Sequence, residues 1–168
     1  MQGLQVPSLT ARATDASVFV AVGLLSAAGS TAKSNSSTGV WRRTSLRSYV
    51  TAYRALTAAA AGSSGPGAAL RFVLAGGGPL SDDIRQEANT HGDMIFLNMT
   101  EGIYRCTRKY LEWLRIAPSL FPSARFFALG DDDIFLSLAH LESDLRAVAS
   151  YTRPDERVLW GLIMWKAR

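Results

Sequence analysis

Apolar residues fall in short dense runs, separated by polar, glycine-rich or proline-rich breaks. The first run, residues 17–26, is continuous and holds β-branched and aromatic members. That predicts a strand covered on both faces. A loop rich in Ser, Thr and Gly follows over 29–39. From about Val40 to residue 61 the spacing turns helical, with Leu46, Tyr49, Val50, Tyr53, Leu56 and Thr57 on one face. Gly62-Ser63-Ser64-Gly65-Pro66-Gly67 stops that helix. Residues 70–75 read as a second strand, closed by a turn at Gly76-Gly77-Gly78-Pro79. Ser81 caps a short acidic helix that ends at His91-Gly92, and 94–97 form a third strand.

Thr100 opens a long helix with Ile103, Cys106, Tyr110, Leu114 and Ala117 on its inward face, which places Cys106 in the core. Arg105, Arg108, Lys109 and Glu112 lie on the other face, and Pro118 and Pro122 end the helix. Residues 124–129 form a fourth strand. Ser137 caps a helix to about Ser150, with Leu138, Leu141, Leu145 and Val148 inward. Residues 158–164 form a last strand. Strands separated by helices predict an α/β fold, a mostly parallel sheet with helices on both faces. Residues 1–15 lack periodicity and read as a loose arm before one unit spanning 16–168. No internal repeat is visible.

No run reaches the roughly 20 apolar residues of a membrane-spanning helix. Residues 16–28 admit a signal-peptide reading, since Arg12 precedes the run, but a buried first strand fits the alternation that follows. The 168 residues are 48% hydrophobic and 19% charged, a globular composition that sets disorder aside. A single cysteine excludes a disulfide framework and a multi-cysteine zinc site. The net charge of +4 comes mostly from arginine. Beyond Arg42-Arg43 there is no dense basic cluster, which argues against nucleic acid.

The informative strand end is Phe126-Phe127-Ala128-Leu129-Gly130-Asp131-Asp132-Asp133-Ile134-Phe135-Leu136. If the backbone stays extended, Asp131 and Asp133 share one side and Asp132 takes the other. Two carboxylates about 4 Å apart repel by about 4 kcal/mol at an effective dielectric of 20. Without counter-charge one must hold a proton, and a divalent cation removes that penalty while preferring oxygen ligands. The bland alternative is a solvated acidic turn, but the apolar flanks bury the neighbouring backbone. Arg43 and Arg47 are four apart on one helix face near a helix start, a place suited to anions, or else an ordinary basic turn. Asp93 precedes a strand, where it could merely cap or pair. His91 suits a helix C-terminus, and the glycine run does not complete a GxGxxG pattern.

In order along the chain, Leu25-Ser26-Ala27, Arg42-Arg43 with Arg47, Phe72-Val73-Leu74 with Gly76, Glu87 with His91-Gly92-Asp93, Lys109, and Asp131-Asp132-Asp133-Ile134-Phe135 resemble glycosyltransferase family 31. That family comprises β-1,3-galactosyl- and N-acetylglucosaminyltransferases and their fringe-like relatives. The resemblance covers about Val18 to Trp165. Tyr49-Val50 and Leu129 depart from the family pattern, as does the 105–109 stretch, where only Thr107 and Lys109 match.

The resemblance implies a GT-A, Rossmann-like fold binding a UDP-sugar with Mn²⁺ or Mg²⁺. Asp133, with Asp131, would hold the metal. Asp132 would reach the ribose or donor sugar. Ser26, Arg43, Arg47 and Asp93 would line the nucleotide pocket. The acceptor would be a glycan on protein or lipid, attacked with inversion. The family's acceptor-binding half and its catalytic base are expected beyond Arg168, so the chain reads as a truncated, donor-binding part. Members sit in the Golgi or endoplasmic reticulum on an anchor that this chain does not contain. The sequons Asn35-Ser36-Ser37 and Asn98-Met99-Thr100 are compatible with a lumenal location. A non-catalytic nucleotide- or sugar-binding module with the same fold stays open. A receiver-like phospho-acceptor domain needs an acidic pair after the first strand, where Ser26-Ala27 stands instead.

Overall fold

A computed structural model describes residues 18–27, 36–61, 67–102 and 105–161. Its elements are β1 (Val20–Leu25), α1 (Ser36–Ala61), β2 (Ala68–Ala75), α2 (Asp82–His91), β3 (Met94–Leu97), α3 (Cys106–Leu120), β4 (Phe126–Asp131) and α4 (Leu138–Tyr151). The strands form one sheet in the order β3-β2-β1-β4, and every pairing is parallel. This is the α/β, Rossmann-like arrangement that the alternation of strands and helices predicts.

Every residue of β1 is buried, so the first apolar run is a central strand. Val20, Val22 and Leu24 face α1, α2 and α4 through Val50, Tyr53, Ile84, Leu138, Leu141 and Leu145. Ala21 and Leu25 face the other layer, made by Trp113 and Ala117 of α3 with Phe121. Between them lies Gly23, where an added Cβ would stand 2.5 Å from the Trp113 ring. The missing side chain lets the indole rest on the strand. Its Nε1 donates to the Ala128 carbonyl at 3.0 Å. Two polar caps fall where the sequence puts them. Ser81 Oγ accepts from the Ile84 N–H, Ser137 Oγ from the His140 N–H, and Gly92 closes α2 with φ 61°.

The rotation of α3 corrects the sequence expectation. Lys109, Trp113 and Ala117 are buried, while Cys106 is exposed and Leu114 is 41% exposed. Ile103 lies outside the described residues. Among the described residues Trp113 is the largest fully buried side chain, and the slot over Gly23 sets the turn of the helix to suit it. Lys109, one turn earlier, follows it inward. On α1, Leu56 is 73% exposed rather than inward, and the helix begins at Ser36 rather than near Val40. α3 begins at Cys106 rather than Thr100, and it carries Pro118 inside it and ends at Leu120. β4 starts at Phe126 rather than at 124, because the Ala124 N–H turns back to the Phe121 carbonyl. Residues 158–161 are irregular where a last strand is predicted, and 162–164 lie outside the described residues. Among the described residues no helix is long and apolar enough to cross a membrane.

Candidate nucleotide-sugar site

The chain leaves β1 for β2 on one side, and β4 lies on the other. β1 is therefore the switch point of the sheet, and the crevice beyond the carboxyl ends of β1 and β4 is where such sheets bind ligands. Ser26 follows β1, and Asp131 ends β4 in register with Leu25. The Asp132 N–H donates to the Leu25 carbonyl at 3.0 Å. This last rung brings the next side chains together, and Ser26 Oγ donates to Asp132 Oδ2 at 2.5 Å.

The three aspartates do not alternate as an extended strand would. Pairing stops at Asp131 and the backbone turns at residues 132–133. Asp131 accepts a 2.8 Å hydrogen bond from the Tyr110 hydroxyl on α3. Burial first, and the Asp131 carboxylate second, push that hydroxyl above its ordinary value of 10. Asp132, with a side chain 9% exposed, accepts from Arg42 Nη1 at 3.2 Å. Asp133 is 55% exposed and lies 3.7 Å from the same nitrogen. Arg42 thus gathers Asp132 and Asp133, and Asp131 belongs to α3. Among the described residues no three of His, Cys, Asp and Glu are grouped to hold a metal on their own.

Behind the aspartates lies a buried ion-pair network. Arg43, 1% exposed, donates from Nε and Nη2 to Glu87 at 2.8 and 2.7 Å. Its Nη1 donates to Ser26 Oγ at 2.8 Å and to the Ala27 carbonyl at 3.2 Å. Arg47 donates to both oxygens of Asp93, at 2.7 and 2.8 Å, and to Glu87 at 2.6 Å. Its guanidinium also lies 5.0 Å over the Phe72 ring. Burial alone would raise the Glu87 carboxyl, but hydrogen bonds from Arg43 and Arg47 outweigh it and hold the group below its ordinary value. Burial likewise opposes charge on Arg47, and Asp93 and Glu87 more than offset that. Lys109, 3% exposed, is satisfied by Glu101 at 2.7 Å and by the Ser26 carbonyl at 3.1 Å.

The structure therefore joins Ser26, Arg43, Asp132 and Asp133 at the crevice. Arg47 connects through Glu87. Asp93 stands at the start of β3 and meets the network only through Arg47. Both arginines lie well inside α1, so the free N–H groups of the helix start are not beside them. Arg42, Tyr110 and Glu101 were not legible as site residues. Arg42 differs from Arg43 by one position, and no spacing tells which of the two faces the crevice. Glu87 carried a signal, since it lies on a short helix just ahead of Asp93 and two arginines are available to it.

The family model described as Galactosyltransferase matches residues 61–167, from the end of α1 through all three aspartates. The chain belongs to the galactosyltransferase family. Its Rossmann-like sheet agrees with the GT-A fold of such glycosyltransferases. A mouse (Mus musculus) relative, "N-acetyllactosaminide beta-1,3-N-acetylglucosaminyltransferase 2", is 28% identical over 76 residues, 45% of this chain and 19% of its own length. An Arabidopsis thaliana relative, "Probable beta-1,3-galactosyltransferase 1", is 35% identical over 85 residues, 48% of this chain and 22% of its own length. The chain thus matches about a fifth of the length of these relatives.

Proposed function

We propose that this chain is the donor-binding part of a metal-dependent, inverting hexosyltransferase. It would serve the transfer of galactose or N-acetylglucosamine from a UDP-sugar to an acceptor glycan in a β-1,3 linkage. The observation that carries the reading is the aspartate triplet at the switch point, fastened to β1 by the Ser26 to Asp132 hydrogen bond.

The residues fit a hard divalent cation, Mn²⁺ or Mg²⁺. Asp131 and Asp133 are exposed carboxylates, and Asp131 is engaged by one hydroxyl. Two protein ligands leave positions for water and diphosphate oxygens, the usual habit of Mg²⁺. When bound, the cation offsets charge on the departing UDP. Asp132 is fixed by Ser26 and Arg42 and is assigned to the ribose or donor sugar. Ser26, Arg43, Arg47 and Asp93 form the pocket wall. Arg43 and Arg47 spend their donors mainly on Glu87 and Asp93, so they shape the wall and keep it rigid. The base that takes the acceptor proton is assigned to the acceptor half of the longer protein, outside this chain. The reading places the whole protein in the Golgi or endoplasmic reticulum lumen, on an anchor outside this chain. The exposure of Asn98 in its sequon supports that.

Calorimetry of UDP binding with and without Mn²⁺ tests the proposal. Asp133→Asn is expected to abolish the Mn²⁺-dependent part, and Asp132→Asn to weaken it less. Undiminished binding in both variants would sink the metal assignment.

A further inference from the structure

We propose that Arg42 is a resident counter-charge for the aspartate cluster, competing with the divalent cation for Asp133 and passing to the diphosphate once the cation holds it. The inference rests on the donor-binding reading above.

Three arginines stand together in Trp41-Arg42-Arg43-Thr44-Ser45-Leu46-Arg47. Two of them are committed behind the site. Arg43 is buried on Glu87, Ser26 and the Ala27 carbonyl, and Arg47 is held by Asp93 and Glu87. Arg42 differs on each count. Its side chain is 36% exposed. A single nitrogen, Nη1, makes both of its carboxylate contacts, at 3.2 Å to Asp132 and 3.7 Å to Asp133. A guanidinium carries five N–H donors in a planar fork. Among the described residues, no hydrogen bond engages Nε or Nη2 of Arg42.

Adjacent carboxylates repel each other, and a nearby positive charge offsets that repulsion. Arg42 supplies that charge to Asp132 and Asp133. A divalent cation drawn to Asp133 meets the guanidinium as a like charge, so each weakens the other's hold. Asp132 has a second partner in Ser26 and keeps its place without Arg42. The displaced guanidinium stays tethered beside the cluster on the rigid α1, with its fork free. Planar bidentate donors suit phosphate oxygens. The structure thus assigns Arg42 two opposite effects, against the bare cation and for the nucleotide diphosphate. A residue that merely supports the fold has no reason to show opposite signs.

Mn²⁺ alone and UDP are the probes, with free Mn²⁺ counted by its electron paramagnetic resonance signal and UDP binding followed by calorimetry at saturating Mn²⁺. Arg42→Ala is expected to tighten Mn²⁺ binding about twofold to fivefold, the range of a partly exposed ion pair. The same variant is expected to weaken UDP about tenfold, as for a lost charge-assisted contact, while uridine affinity stays put. Arg42→Lys keeps the charge and should leave Mn²⁺ affinity unchanged while recovering only part of the UDP affinity. Equal Mn²⁺ affinity in wild type and Arg42→Ala, with both binding it, overturns the competition and leaves the cation reading standing. Tighter Mn²⁺ binding with unchanged UDP affinity overturns the phosphate contact. Absence of Mn²⁺ binding in both proteins overturns the cation reading, and the competition with it.

Discussion

Glu87 on α2 grips Arg43 on α1 with two hydrogen bonds, at 2.8 and 2.7 Å, and through it reaches Ser26 and then Asp132. The pair is a strut between two helices as well as the back of the site. Removing one member of a buried pair leaves an uncompensated charge and costs about 3–5 kcal/mol. Glu87→Ala is therefore expected to lower stability by about that amount in denaturant unfolding. Asp132→Asn, at the open end of the same chain of bonds, is expected to cost much less. A small loss on Glu87→Ala would show that water or another carboxylate replaces the pair.

Acid should expose the same pair. The Glu87 carboxyl titrates below its ordinary 4.5 in the folded protein. A depressed carboxyl contributes stability that is complete above the unfolded value and is lost as pH falls through the folded one. Wild-type stability should therefore drop as pH falls below about 4.5, and Glu87→Gln should show a shallower drop over that window. Parallel melting-temperature curves for the two proteins would remove Glu87 as a source of acid sensitivity.

Gly23 and Gly130 give a paired test of packing. A Cβ on Gly23 meets the Trp113 ring at 2.5 Å, and that ring is wholly buried. A Cβ on Gly130 meets the tip of the half-exposed Ile134 side chain at 2.7 Å, which can swing aside, and the end of the buried Leu24 side chain at 3.3 Å, which must give only slightly. Overpacking of a tight core costs about 1–3 kcal/mol. In a chain of this size each kcal/mol moves the melting temperature by about 2–4 °C. Gly23→Ala is expected to show a drop of that order and Gly130→Ala a clearly smaller one. Equal drops would mean that α3 can lift off β1 freely.

Alkali tests the Tyr110 to Asp131 contact. The Tyr110 hydroxyl is raised above 10 by burial and by Asp131. A group whose folded value is raised contributes stability that is lost as pH climbs past the unfolded value. Wild-type stability should fall above pH 10, and Tyr110→Phe should fall less steeply. A spectrophotometric titration should also show a smaller late-ionising component in Tyr110→Phe and in Tyr53→Phe, since burial and Glu142 raise Tyr53 too. An unchanged titration in both variants would count against these contacts.

The order of strands and helices was legible because its signals are local. Glycine and proline breaks bound each apolar run, and Ser81, Ser137 and Gly92 cap their helices with their own atoms or backbone. What escaped depends on partners distant in sequence. The face that α3 buries is chosen by Trp113, and Trp113 is chosen by the absence of a side chain at Gly23. Helical spacing alone puts Cys106 and Leu114 inward, and spacing cannot see that slot. The aspartates were legible as a cluster but not in their division, since β4 keeps pairing only as far as β1 offers a partner. Past Leu25 the backbone is free to turn, and Asp132 goes to Ser26 while Asp131 goes to Tyr110. Arg43 and Arg47 were legible as a pair on one face. Their carboxylate partners follow only once α2 is laid beside α1.

The Ser26 hydroxyl stands between two groups of fixed demand. Arg43 can only donate to it, and a guanidinium keeps its protons across the whole physiological range. Its own hydrogen is thereby turned away from Arg43 and toward Asp132. The direction of that one O–H bond is set, in effect, by a charge that never switches off. Asp132 consequently meets any ligand as an acceptor with one oxygen held by Ser26 and the other held only by the half-exposed Arg42.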